Sequence, residues 1–116
     1  MKNNIRFIFC LSLSVLLAAP AAAANEETTA FNELKAQADR GSSAAQYALA
    51  EKFAQGDGAP QDYVRAHKWF NLAAALGHEN ARQSRDLFSE LMTPKQIAEA
   101  QKLARNWFAQ HRGGEK

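Results

Sequence analysis

The sequence predicts an all-α fold, a short helical-repeat solenoid of about five antiparallel helices. Three observations carry that expectation. Beyond residue 25, apolar residues recur at spacings of three and four, and no segment alternates in the manner of a strand. Glycine or proline punctuates these patterns at short intervals. Gly41 and Gly77 close two successive patterns 36 residues apart, a period characteristic of stacked helix pairs.

Residues 1–24 read as a secretory signal peptide. Lys2 and Arg6 give a positive start, Phe7 to Leu17 is apolar apart from Ser12 and Ser14, Pro20 breaks the run, and Ala21 to Ala24 supply small residues for cleavage. The apolar run is short of the roughly 20 residues a spanning helix needs. Cys10 lies between Phe9 and Leu11, so the small residues that precede a lipid-attached cysteine are missing. Residues 25–116 are then expected as one domain. Lys2 and Arg6 are two of the 14 basic residues, so the segment after the leader holds 12 basic and 12 acidic groups. A formally neutral chain gives no electrostatic reason to expect binding to nucleic acid or to an anionic membrane, and no stable membrane insertion is expected once the leader is removed. Cys10 is the single cysteine, so this domain must be held together by packing without disulfides.

The elements follow in order. Glu26 to Arg40 reads as a first helix with Phe31, Leu34 and Ala38 on one face, closed by Gly41. Ser43 is expected to cap the second helix, with Gln46 completing a capping box and Ala45, Leu49 and Phe53 tracing its stripe. Gly56-Asp57-Gly58-Ala59-Pro60 turns the chain. Asp62 caps a third helix whose apolar set is wide: Tyr63, Ala66, Phe70 and Ala73 on one side, Trp69, Leu72 and Leu76 on the next. Such breadth suits a helix packed on more than one face. A fourth helix is expected from about Glu79 to Met92, with Ala81, Ser84, Leu87, Phe88, Leu91 and Met92 at helical spacing. Thr93-Pro94-Lys95-Gln96 is a capping box with proline at the first helical position. The fifth helix then buries Ile97, Ala100, Ala104, Trp107 and Phe108, and Gly113 and Gly114 end it.

The order of residues in Ala45 to Ala81 resembles the Sel-one-like repeat (SLR) family, which is related to the tetratricopeptide repeats. The resemblance rests on Ala45, Leu49-Ala50 and Phe53 in a first helix, on Gly56, Gly58 and Asp62-Tyr63 in the loop, and on Ala66, Trp69-Phe70, Ala73-Ala74 and Gly77 in a second helix. Ala50 stands where the family has glycine and Ala59 where it has valine. One full repeat, about residues 44–79, is thus expected with a partial repeat on each side, the outer helices acting as caps. The resemblance, nearest to small exported bacterial members, implies a non-enzymatic protein–protein interaction module, an adaptor or scaffold of the periplasm or envelope. Secretion beyond the envelope is the alternative location.

No residue pattern argues for chemistry. His67, His78 and His111 lack metal-ligand spacing, and the serines lack a nucleophile elbow. Gly56-Asp57-Gly58 lacks the strand, lysine and hydroxyl of a phosphate loop. Asp86 and Glu90, four apart, read as a solvated pair, and Trp69, Phe70, Trp107 and Phe108 as core. No cofactor is expected. A β-lactam-related hydrolase of the cysteine-rich repeat type is disfavoured, because the expected mature chain has no cysteine. A self-associating structural protein is a further alternative. Tyr47 and Glu51 on the second helix, with Arg82, Arg85 and Asp86 on the fourth, are left over once the core is assigned. They are the candidate partner-binding surface, because the first helix of each pair lines the concave side in stacked helix pairs.

Overall fold

Five helices realise the helical spacing of the sequence in the computed structural model, which describes residues 26–112. They are α1 (26–39), α2 (Ser43–Gln55), α3 (Tyr63–Ala75), α4 (Ala81–Ser89) and α5 (Pro94–Arg112). No strand occurs among the described residues. The chain divides into two units, Met1–Ala30 and Phe31–Lys116. The first is helical over 26–30, and the second holds the core and the surfaces around it. The expected leader, residues 1–24, and the glycines Gly113 and Gly114 lie outside the described residues.

The helix ends follow from local chemistry. Asp62 caps α3 as expected, its carboxylate accepting from the Arg65 N–H at 3.0 Å. The box before α5 closes in both directions: the Thr93 hydroxyl accepts from the Gln96 N–H at 3.2 Å, and the Gln96 amide oxygen accepts from the Thr93 N–H at 2.9 Å. Gly77 takes a left-handed conformation (φ 97°), and the His78 N–H then reaches the Ala73 carbonyl at 2.9 Å.

The cap of α2 corrects the expectation. Ser42, not Ser43, accepts from the Ala45 N–H at 3.2 Å. Gln46 therefore falls one residue beyond the box position and onto the buried face. There its Nε2 donates to the Ala38 carbonyl at 3.1 Å and ties the end of α1 to α2.

A second correction concerns α4. It stops at Ser89 rather than Met92, and the chain continues in tight turns, with Leu91 and Met92 N–H groups donating to the Phe88 and Ser89 carbonyls three residues back. Leu76, Leu87 and Leu91, expected in the core, are 42%, 57% and 64% exposed. The early stop puts Leu91 in a turn and lets α5 restart at Pro94 and pack on α3, whereas Leu76 ends α3 and Leu87 lies on the outer face of α4. Met92 turns inward and is buried.

The core is built around α3, which packs on α2, α4 and α5. Ala66, Leu72 and Ala73 are fully buried, and Phe70 is nearly so. The Phe70 ring stacks on Phe88 of α4 at 5.5 Å and meets Tyr47 of α2 edge-on at 5.4 Å. Trp69, on the next face, meets Trp107 of α5 edge-on at 6.3 Å. Phe31 of α1 closes the far end, edge-on to Phe53 of α2 at 5.9 Å. Each such aromatic pair adds about 0.5–1.5 kcal/mol beyond simple burial.

Phe31 also packs over the α2–α3 loop. Gly58 holds φ 82°, and a Cβ there would stand 2.9 Å from the Phe31 ring. Gly77 has a similar φ of 97° but open space around it. Gly77→Ala should therefore cost only the left-handed strain, on the order of 1–2 kcal/mol. Gly58→Ala should cost more, because the Phe31 ring must also move. Urea denaturation of both variants beside the parent tests this order.

Candidate functional site

The side chains left over from the core fall on two surfaces. The first is the outer face of α4. The sequence places Arg82, Arg85 and Asp86 there, with Tyr47 and Glu51 of α2 nearby. Arg82 and Asp86 line a shallow groove of about 370 Å³ together with Glu79, Gln83, Leu87 and Glu90. Arg85 takes a different part. Its Nε and Nη2 donate to Asp86 at 3.1 and 3.0 Å, while Nη1 donates to Asn71 of α3 at 3.1 Å. Arg85 thus pins α4 to α3 and orients the Asp86 carboxylate. Tyr47 is half-buried: its ring stacks on His78 at 4.2 Å, and its hydroxyl lies 3.3 Å from the Ser84 hydroxyl. It supports α4 from behind. Glu51 is half-buried on α2 and does not line this groove.

Beneath α4 lies a buried histidine. His67 is 2% exposed, and its Nε2 sits 2.9 Å from the Ser89 hydroxyl. That hydroxyl donates its one proton to the Arg85 carbonyl at 2.9 Å. Ser89 must therefore accept from His67, which fixes the neutral Nε2–H tautomer. Nδ1 is buried with no hydrogen-bond partner among the described residues. Burial lowers the His67 pKa from its ordinary 6.5, the Arg85 charge lowers it further, and Asp86 opposes them. His67 is structural, a pin between α3 and the end of α4.

The second surface is a groove of about 600 Å³ on the side of α1, α3 and α5. Helical spacing aims each contributor into it: Lys35 and Asp39 from α1, Arg65, Lys68 and Trp69 from α3, Leu103, Trp107, Gln110 and His111 from α5. One end is closed where the Trp107 Nε1 donates to Asp39 at 3.4 Å. Lys68 Nζ lies 4.4 Å over the Trp69 ring, and the Arg65 guanidinium lies 5.6 Å over Phe53. His111 stacks on Trp107 at 3.9 Å. Burial lowers the Lys68 pKa; Asp39 raises it, and Arg65 and Lys35 lower it. Trp69 and Trp107, expected in the core, are buried there. The groove beside them has no counterpart in the sequence expectations, because its polar walls come from three helices far apart in the chain. The helical phase that aims Arg65, Lys68 and Trp69 to one side is the one signal of it.

Among the described residues no group of three or more metal-ligating side chains comes together, and no helix is long and apolar enough to cross a membrane.

Antiparallel helix pairs with a glycine-closed 36-residue period define a helical-repeat protein. Residues 43–78 match the Sel1 repeat, and the chain is a Sel1-like repeat protein. A solved structure, that of a protective antigen present in uropathogenic Escherichia coli strains and displaying an SLR fold, matches with a TM-score of 0.68 and 30% identity. The match covers 72% of this chain and 18% of that one, so the chain spans under a fifth of its relative's length. No curated protein matches significantly. Sel1 repeats are generally protein–protein interaction modules, typically non-catalytic scaffolds.

The His67 geometry generates a pH dependence. Its folded pKa is depressed, so the unfolded chain binds the proton first as pH falls. The neutral histidine's contribution is fully present above the ordinary value of 6.5 and is lost progressively as pH falls below it. Denaturation midpoints should drop between pH 7 and pH 5. His67→Gln, which keeps a donor toward Ser89, should flatten that drop; an unchanged slope would remove His67 as its source.

Proposed function

We propose that this protein is a non-enzymatic adaptor or scaffold of a bacterial periplasm, exported by the leader read in residues 1–24, and that the α4 face engages another protein. The carrying observation is the pairing in one groove of exposed Leu87 with the Arg82 and Asp86 side chains, with exposed Leu91 just beyond the end of α4. Apolar residues of this size standing in water beside charged ones suit a docking patch with a polar rim. Leu87 stands on α4 itself, and Leu91 is exposed in the turn that follows. Arg85 holds Asp86 in place before any partner arrives, which limits the ordering cost of binding.

The leader read in residues 1–24 supports export. The carboxylates Glu79, Asp86 and Glu90 share the groove with Arg82, so the face is mixed in charge rather than strongly basic. That arrangement favours a protein partner over nucleic acid.

The test is capture of envelope proteins by the tagged chain expressed with its leader. Leu87→Asp combined with Leu91→Asp should abolish recovery of a bound protein, and Arg82→Glu should reduce it. Both leucines are exposed, so the melting transition should stay close to that of the parent. Arg85 is unsuitable for this purpose because it also braces the fold. Undiminished recovery by the leucine variant would reject the α4 face. A parent that sediments as a dimer dissolved by the same variant would point instead to self-association.

A further inference from the structure

A second surface lies between α1, α3 and α5, and a binding role for it rests on the reading of this protein as an interaction module. The groove between α1, α3 and α5 gathers three cations, Lys35, Arg65 and Lys68, around one carboxylate, Asp39. The segment after residue 24 is formally neutral, so this excess is a local feature. Asp39 does not neutralise it. Its Oδ1 accepts from the Trp107 indole, and neither Lys35 nor Lys68 has a carboxylate within ion-pair distance among the described residues. Arg65 engages Asp62 only loosely, through Nε at 3.5 Å, and its side chain is 62% exposed. Lys68 is held over the Trp69 ring, where burial weighs against its charge, Asp39 favours it, and Arg65 and Lys35 oppose it. An incoming carboxylate would relieve that.

From the charge and shape of this groove, we propose that it binds an extended acidic segment of a partner protein, with the carboxylates on Lys35, Lys68 and Arg65 and an apolar side chain against Leu103. The volume, about 600 Å³, is that of a site for a few residues rather than for a folded domain. Charge-assisted hydrogen bonds from ammonium and guanidinium to carboxylate supply the specificity.

Cations beside aromatic rings also describe a single-stranded nucleic-acid platform, which needs open ring faces for bases to stack on. Here the faces are taken. Lys68 covers Trp69, His111 stacks on Trp107 with an interplanar angle of 13°, and both indoles are buried, at 3% and 7% exposure. The geometry favours carboxylates over bases.

The two tryptophans of the chain are Trp69 and Trp107, and both line the groove, so intrinsic fluorescence reads it directly. The full chain would be titrated with a glutamate- and leucine-containing hexapeptide that lacks aromatic residues. Its controls are the glutamine analogue, free glutamate and a single-stranded oligonucleotide. The acidic hexapeptide should change the emission saturably and more weakly as salt rises, and Lys35→Gln combined with Lys68→Gln should weaken binding at least tenfold. Arg82→Glu, on α4, should leave it unchanged.

An equal response to the glutamine analogue, an affinity unchanged in the lysine variant, or no response at all would overturn the proposal. So would free glutamate matching the peptide, which would make the groove a small-anion site, or tighter binding of the oligonucleotide. Circular dichroism of the lysine variant confirms that it is folded. Capture of a protein through the α4 face is read separately. Failure of the peptide with capture intact removes this groove alone, whereas failure of capture with peptide binding intact removes only the α4 reading.

Discussion

The main packing of α2, α4 and α5 depends on α3 being thin enough on several sides at once to be packed by three other helices. Ala66 and Ala73 supply that thinness, and both are fully buried. Phe70 and Trp69, adjacent in sequence, then point to different neighbours: Phe70 to Tyr47 and Phe88, Trp69 to Trp107. A larger residue at Ala66 or Ala73 would force α3 away from its partners, and overpacking of this kind costs about 1–3 kcal/mol. With no cysteine after Cys10, no covalent link is available to offset such a loss.

The two surfaces inherit their stiffness from that packing. On the α4 side, the buried chain from His67 through Ser89 to the Arg85 carbonyl, together with Arg85 and Asn71, fixes a nine-residue helix that is too short to be stable alone. On the other side, Trp107 lies between Trp69 and Asp39 and so sets how far α5 stands from α1. Both surfaces are side chains presented on helices that polar pins hold in place.

The fold was legible because its signals are local and redundant. Asp62 and the Thr93–Gln96 box mark helix starts through side chains that bond the free N–H groups of the first turn, and left-handed glycines mark helix ends. The errors have a common origin. Ser42 and Ser43 are equivalent as caps in sequence, and only the buried position of Gln46 decides between them. Leu87 and Leu91 fit an apolar stripe by spacing, but spacing does not say whether a neighbouring helix exists to cover it. The α4 surface was partly legible: Arg82 and Asp86 share a groove, whereas Arg85 and Tyr47 turn inward as supports. Those supporting roles depend on Asn71, Ser84 and His78, which carry no signal of their own in the chain.

The groove between α1, α3 and α5 was hidden for a stronger reason. Lys35 and His111 are 76 residues apart, and no periodicity links them. They meet because α4 ends early and Pro94 restarts the chain toward α3, so that Trp107 reaches the Asp39 carboxylate at the end of α1. Met92-Thr93-Pro94 follows α4 with no glycine loop like Gly56-Asp57-Gly58, and this break has two consequences. It leaves Leu87 and Leu91 uncovered on one side, and on the other it swings α5 across α3 to wall in Lys68 and Arg65. A regular continuation of the repeat after α4 would cover those leucines and carry the next helix onward along the stack, away from α1. Both surfaces therefore trace to the one place where the chain stops repeating.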